Sequence, residues 1–175
     1  MLFKRDIEID KISDSISLTN FREAVRAVVL KNNKILMVHS KNDDYKFPGG
    51  GVKKNEDKIR ALKREVEEET GYICKNVGKC IGIVTEKSRD RYYNNRIFKM
   101  ISYYYIVQVY DVRKEQKLDA YERELQFKPV WMDINEAIDN NNEIIRENPE
   151  NMPNWIERET YVLQEVSNGI NNRLI

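Results

Sequence analysis

Histidine and cysteine are nearly absent from this chain: His39 stands alone, and Cys74 and Cys80 are the only thiols. Three such residues cannot close a four-ligand zinc site. The two cysteines are read as free thiols, because the reducing compartments that suit such a sequence disfavour disulfides. No apolar run approaches the roughly 20 residues that span a bilayer. The opening stretch, MLFKRDIEIDKISDS, carries charges every few residues and lacks a signal-peptide hydrophobic segment, so a cytoplasmic location is expected. An excess of either charge is missing too. Thirty basic against twenty-nine acidic side chains leave a net charge of +1. The whole molecule therefore offers no attraction to nucleic acid or to an anionic membrane, and an anion site must be built locally.

What is present is a chain of 175 residues, 41% hydrophobic and 34% charged, long enough to bury a core within one domain over 1–175. Residues 1–20 read as an extended lead-in strand or loose arm. Ala24 to Leu30 is rich in β-branched residues, Asn32-Asn33 reads as a tight turn, and Lys34 to His39 as the partner strand. Phe47-Pro48-Gly49-Gly50-Gly51 cannot be helical. Asn55 is the expected N-cap of a helix to about Thr70, with Glu56 and Asp57 in its first turn and Gly71 as its left-handed end. Ile59, Ala61, Leu62 and Val66 mark its apolar stripe.

Further on, Ile73 to Thr85 holds one or two strands, Lys87 to Asn95 a basic polar loop, and Arg96 to Val109 a long aromatic strand. Asp111 to Leu125 is expected to be loop. Phe127 to Met132 is a short strand placed near an edge by Pro129. Asp133 and Glu136 form a capping-box pattern for a helix to about Glu147. Pro153 opens a last helix within residues 148–175, whose Trp155, Tyr161, Val162 and Val166 are expected on the sheet. The fold class expected is α/β, a mixed β-sheet sandwiched between helices.

The chemistry concentrates in Arg64-Glu65-Val66-Glu67-Glu68-Glu69. Glu65, Glu68 and Glu69 lie at i, i+3 and i+4, on one helical face, while Glu67 points elsewhere as a solvated charge. Like charges at that spacing repel by a few tenths of a kcal/mol per pair. A hard dication reverses the penalty, since Mg²⁺ takes carboxylate and carbonyl oxygens and shares its shell with phosphates. The bare backbone of Gly49 and Gly50 can approach a metal or phosphate closely. Arg64, four residues before Glu68, can brace the carboxylates, with Glu56 as its second anchor.

Gly50, Glu56, Arg64, Glu65, Val66, Glu68, Glu69 and Gly71 match in type and spacing the signature of the Nudix hydrolase (MutT-like) family, G-x5-E-x7-R-E-U-x-E-E-x-G-U, over a box from Gly50 to Tyr72. Tyr72 is the one departure, at a packing position that the family fills with an aliphatic residue. Chance agreement runs on the order of one start in 10⁸. The resemblance is strong over 47–72 and weak over the rest of 22–147. It implies an α/β/α sandwich and a pyrophosphohydrolase dependent on Mg²⁺ or Mn²⁺, acting on a nucleoside diphosphate linked to another moiety. It further implies Glu65, Glu68, Glu69 and the Gly49 carbonyl as metal ligands, Arg64 in support, and Gly50, Glu56 and Gly71 as the frame of the box. The general base is Glu65 or a glutamate from a later loop; there Glu124 leads, with Glu122 and Glu86 behind it.

Substrate contacts are sought in Arg26, His39, Arg91 and Tyr92, each set against a bland reading as a strand, rim or solvated loop residue. A nucleoside triphosphate or modified nucleotide is the expected substrate. The proline of the family's ADP-ribose hydrolases is missing, the corresponding region reading Glu86-Lys87-Ser88. A non-catalytic nucleotide or nucleotide-sugar sensor is the alternative, disfavoured because Arg64 and the box glutamates are all retained. Diphosphate isomerase chemistry needs more histidines. RNA 5′-end pyrophosphohydrolysis is a further alternative to which a neutral chain lends no particular support, so nucleic acid is not the expected partner. A monomer or homodimer is expected, with no membrane association.

Overall fold

The computed structural model describes the chain except residues 10–17, 91, 94 and 151. Among the described residues, eight strands and four helices follow in the order β1 (Phe3–Glu8), β2 (Leu18–Val28), β3 (Leu30–Lys31), β4 (Lys34–His39), β5 (Tyr45–Lys46), α1 (Lys58–Thr70), β6 (Tyr72–Arg89), β7 (Arg96–Arg113), α2 (Ala120–Glu124), β8 (Lys128–Met132), α3 (Ile134–Glu147) and α4 (Ile156–Asn171). A mixed four-stranded sheet runs β1-β6-β7-β2, with β1 parallel to β6, β2 parallel to β7, and β6 antiparallel to β7. A second, antiparallel sheet is centred on β4, which pairs with β3, β5 and β8.

Strand alternation divides the core into two layers. Val25, Ala27, Val29 and Leu36 face α1 and meet its Ala61, Leu62 and Val66. Val28, Ile35, Met37, Val84 and Tyr104 face the other way and meet Phe3, Phe47, Ala137, Val162, Leu163 and Val166. Sheet residues thus lie between α1 on one side and α3 with α4 on the other, the sandwich expected from the sequence. Among the described residues no helix is long and apolar enough to cross a membrane. Cys74 and Cys80 are free, and burial pushes the Cys74 thiol up to about 11.

Several boundaries differ from the sequence reading. The lead-in is a strand over Phe3–Glu8, added to the sheet edge beside β6, with Phe3 buried. The cap of α1 is Asp57, not Asn55. Its carboxylate accepts from the amides of Ile59 at 2.9 Å and Arg60 at 3.1 Å, while Asn55 takes a left-handed turn at φ 64°. Each residue suits the place the turn gives it: asparagine tolerates positive φ, and a carboxylate at the cap profits from the helix dipole. Lys87 lies within β6, where polar residues 86–89 pair with Ile97–Met100 of β7. Asp111–Leu125 is not all loop: β7 runs to Arg113, and α2 starts on a reciprocal Asp119–Glu122 capping box. For α3, Asp133 caps Asn135, and Glu136 lies in the first turn. Val162 and Val166 dock as expected, and Trp155 packs in a separate cluster formed by Val38 of β4 with Leu125 and Phe127.

Candidate active site

The turn that opens the site is held along its length by β2. Val25 donates to the Gly50 carbonyl at 3.0 Å, Ala27 to that of Pro48 at 2.8 Å, and Val52 to that of Glu23 at 2.9 Å. Gly49 sits at φ 141°, and a Cβ there would lie 2.0 Å from the Val25 carbonyl oxygen, so only glycine fits. At Gly50 a Cβ would lie 2.5 Å from the Glu65 carboxylate. The missing side chain is what lets α1 present Glu65 against this backbone.

α1 ends on Gly71 at φ 75°, whose amide returns to the Glu67 carbonyl. That stop turns the chain into β6. After β7 the returning segment follows the end of α1: Lys114 donates to the Gly71 carbonyl and Lys117 to that of Glu68, both at 2.9 Å. Gln116 Nε2 donates to the Glu69 carbonyl at 2.5 Å. α2 is thereby laid beside the acidic face of α1. It is pinned from behind by Leu125 and Phe127, which pack with Val38 and Trp155.

One carboxylate oxygen from each of Glu65, Glu69 and Glu122 comes within 4.8 Å of the others. Glu65 and Glu69 are buried, and Glu122 is partly so. Burial, and then the neighbouring Glu69 and Glu68 charges, push the Glu65 carboxyl up, opposed by Arg64. Burial pushes the Glu122 carboxyl up to about 7, against the Asp119 amide that donates to it and with the Glu69 charge adding to the rise. Each Glu69 oxygen accepts one hydrogen bond and keeps a second lone pair: Oε1 receives Lys46 Nζ at 2.5 Å, and Oε2 receives the Gly49 amide at 2.7 Å. Lys46 also lies over the Phe127 ring, 4.4 Å from its centroid.

Arg64 is the hub of the second group. It donates to Glu56 through Nε at 2.9 Å and Nη2 at 2.8 Å, and through Nη1 to Glu65 at 2.7 Å and Glu68 at 3.0 Å. The guanidinium pair holds the Glu56 carboxyl down to about 2. Glu68 is therefore turned toward Arg64, with its side chain 33% exposed, and is not in the close trio. Glu67 points outward to Lys114.

The other sequence candidates fall in different places. Arg26 is buried and donates to the Gly49 carbonyl. His39 packs against Tyr45 and faces Asp43 at 3.2 Å. Tyr92 is 84% exposed. Arg91 lies outside the described residues. Glu124 faces Lys41 at 3.9 Å, with its side chain 75% exposed, and stands apart from the trio. Glu86 is buried against Arg158 of α4.

Three residues near the site escaped the sequence reading: Lys46, Arg22 and, as a leading candidate, Glu122. Arg22 lies on the same face of β2 as Arg26, and a Cβ at Gly51 would meet its guanidinium at 2.6 Å. It is exposed and has no ion pair or hydrogen bond among the described residues. The Asp119-x-x-Glu122 capping pattern was the one local signal that set Glu122 apart from Glu124.

The trio fits a hard dication. The donors are all oxygen and lie within 4.8 Å of one another, and Lys46 and Arg64 each offset one of their charges without filling the space between them.

Comparison with known proteins bears on this arrangement. The NUDIX domain family profile matches residues 20–155. An ADP-ribose pyrophosphatase of Methanocaldococcus jannaschii is 39% identical over 71 residues, 38% of this chain and 41% of that protein. An 8-oxo-dGTP diphosphatase of Buchnera aphidicola subsp. Schizaphis graminum is 38% identical over 56 residues, 29% of this chain and 43% of that protein. The matched stretches span less than half the length of either relative. A NUDIX hydrolase from Nitrosomonas europaea superposes with a TM-score of 0.55 at 20% identity, covering 83% of this chain and 91% of that one. An ADP compounds hydrolase gives 0.54 at 17% identity, covering 87% of this chain and 74% of that one. At these identities the two structures speak for the fold.

Proposed function

This chain belongs to the NUDIX domain family, and on that premise we propose that it is a divalent-cation-dependent hydrolase of diphosphate linkages in nucleotides. The observation that carries the reading is the convergence of Glu65, Glu69 and Glu122 within 4.8 Å beside the Gly49-Gly50 turn. The names of both curated relatives describe the breaking of a diphosphate bond.

In this reading Glu65 and Glu69 hold Mg²⁺ or Mn²⁺, and Glu68 takes part from the edge of the group. The Gly49 carbonyl keeps one lone pair beyond the one that Arg26 uses. The cation, when bound, neutralises the diphosphate and acidifies water. Glu122, whose carboxylate converges on the same place as Glu65 and Glu69 but comes from a separate helix, is the group that takes the proton from the attacking water. Lys46 and the Gly49 amide fix Glu69, and Arg64 fixes Glu65, so the carboxylates are placed before substrate arrives. The Arg22 guanidinium beside Gly51, unpaired among the described residues, is the cation offered to the substrate phosphates, for which its planar fork is suited. A nucleoside triphosphate or modified nucleotide is the preferred substrate.

The test is a panel of nucleoside triphosphates, oxidised nucleotides, nucleotide sugars, dinucleoside polyphosphates and capped RNA, assayed with Mg²⁺ and with Mn²⁺. Cleavage between phosphates in at least one class is expected, abolished by chelation. A panel left wholly intact, with the nucleotides still bound, overturns the hydrolase in favour of a sensor.

A further inference from the structure

Behind the turn, on the α4 side, lies a second buried charged group that the proposed chemistry does not use. Arg158 donates to Glu159 Oε1 from Nε at 3.0 Å and from Nη2 at 2.7 Å, and to Glu86 Oε2 from Nη1 at 2.5 Å. Glu159 is 0% exposed and Arg158 2%. The remaining Glu159 oxygen, Oε2, accepts the amide of Phe47 at 2.8 Å.

Phe47 is two residues from Gly49, whose amide goes to Glu69 and whose carbonyl goes to Arg26. The short segment from Phe47 to Gly49 is therefore gripped on one side by a carboxylate of α4 and on the other by a carboxylate of α1. An apolar pair of similar volume could hold α4 on the sheet, often at no loss of stability. It could not accept a backbone amide at a fixed place.

We propose that Glu159, itself set by Arg158 and Glu86, is a positioning residue that fixes the Gly49 turn, and through it Glu69, in the geometry that the cation needs. The proposal rests on the carboxylate site proposed above. It goes beyond that site by making α4, which contributes no group to the trio, part of its construction. Outer partners of a metal site that orient its ligands affect affinity or activity by about 10–100-fold.

The test compares Glu159→Leu, which removes the acceptor, with Glu159→Gln, which keeps an oxygen for the Phe47 amide. Amide hydrogen exchange at Gly49 and Mn²⁺ affinity by calorimetry are read in both, alongside kcat and KM on any diphosphate that the wild type cleaves. Expected are faster exchange at Gly49 and Mn²⁺ binding weaker by about tenfold or more in Glu159→Leu, with kcat falling more than KM rises. Glu159→Gln is expected to restore most of each.

Unchanged Gly49 exchange and unchanged Mn²⁺ affinity in folded Glu159→Leu overturn the proposal. Loss confined to the Phe47 amide does the same, because it reveals a purely local bond. If Glu159→Leu does not fold, Arg158→Lys loosens Glu159 without removing it and must show the same two changes to a smaller degree; wild-type values overturn the proposal. A wild-type protein that binds no Mn²⁺ refutes the metal site, and Gly49 exchange alone then decides the positioning role.

Discussion

Glu122 and Glu124 lie on one short helix, two residues apart, in unlike surroundings. Glu122 faces Glu65 and Glu69; Glu124 faces solvent and Lys41. Glu122→Gln is expected to lower kcat by about 10²–10⁴-fold, the usual range for a lost general base. Glu124→Gln is expected to stay near wild type, since exposed ion pairs contribute at most about 1 kcal/mol. Steady-state assays on the best substrate of the panel check both, and equal effects at the two positions refute the assignment. Arg22→Ala probes the phosphate contact. A charged hydrogen bond of about 1.5–3 kcal/mol corresponds to a KM increase of roughly 10–100-fold, with thermal stability unchanged. An unaltered KM removes Arg22 from the site.

At the scale of elements, α1 is fixed at both ends by backbone requirements that can be tested apart from catalysis. Asp57→Ala removes the acceptor for two amides and should cost about 1 kcal/mol. Gly71→Ala forces a side chain into φ 75° and places a Cβ 2.1 Å from the Lys114 carbonyl oxygen. Its cost should exceed the roughly 1–2 kcal/mol of the left-handed conformation alone. Urea denaturation of each variant measures both, and the order Gly71→Ala worse than Asp57→Ala is the prediction. A reversed order shows that the segment after β7 yields easily. That matters for function, because the same segment carries α2 to the acidic face of α1.

Across the whole molecule, stability should depend on pH through the Glu56–Arg64 pair. Glu56 titrates near 4.5 when unperturbed and near 2 in the fold, where Arg64 hydrogen-bonds its carboxylate. A depressed carboxyl contributes its full stabilisation above the unfolded value, and the contribution is lost as pH falls through the folded one. Wild type should therefore exceed Glu56→Gln by a constant margin above pH 4.5, and the margin should close toward pH 2. The margin is about 1–2 kcal/mol after allowance for solvent at the turn. A gap independent of pH in acid denaturation curves contradicts the ion-pair origin. Addition of Mg²⁺ should raise the melting temperature, because a ligand that binds only the folded state stabilises it by mass action. Glu65→Gln with Glu69→Gln should abolish that rise.

The sequence by itself determined the box, the helix that carries it, and the layered fold around it. Each depends on short-range rules: glutamates three and four residues apart share a helical face, Gly71 takes a conformation others avoid, and alternation assigns strand faces. Asn55 and Asp57 show the limit of such rules, because both residues are good caps and only the turn geometry chose between them. Tertiary structure decided which glutamates meet. Glu68 has the right spacing, but Arg64 draws it aside, and Glu122 arrives from a segment more than fifty residues away. That choice depends on Trp155, Leu125 and Phe127 packing α2 in place, and on β7 ending where Lys114 can bond to Gly71. The Phe47–Glu159 contact likewise joins residues 112 positions apart. Contacts at such separations are set by packing and loop closure, and no local spacing in the chain encodes them.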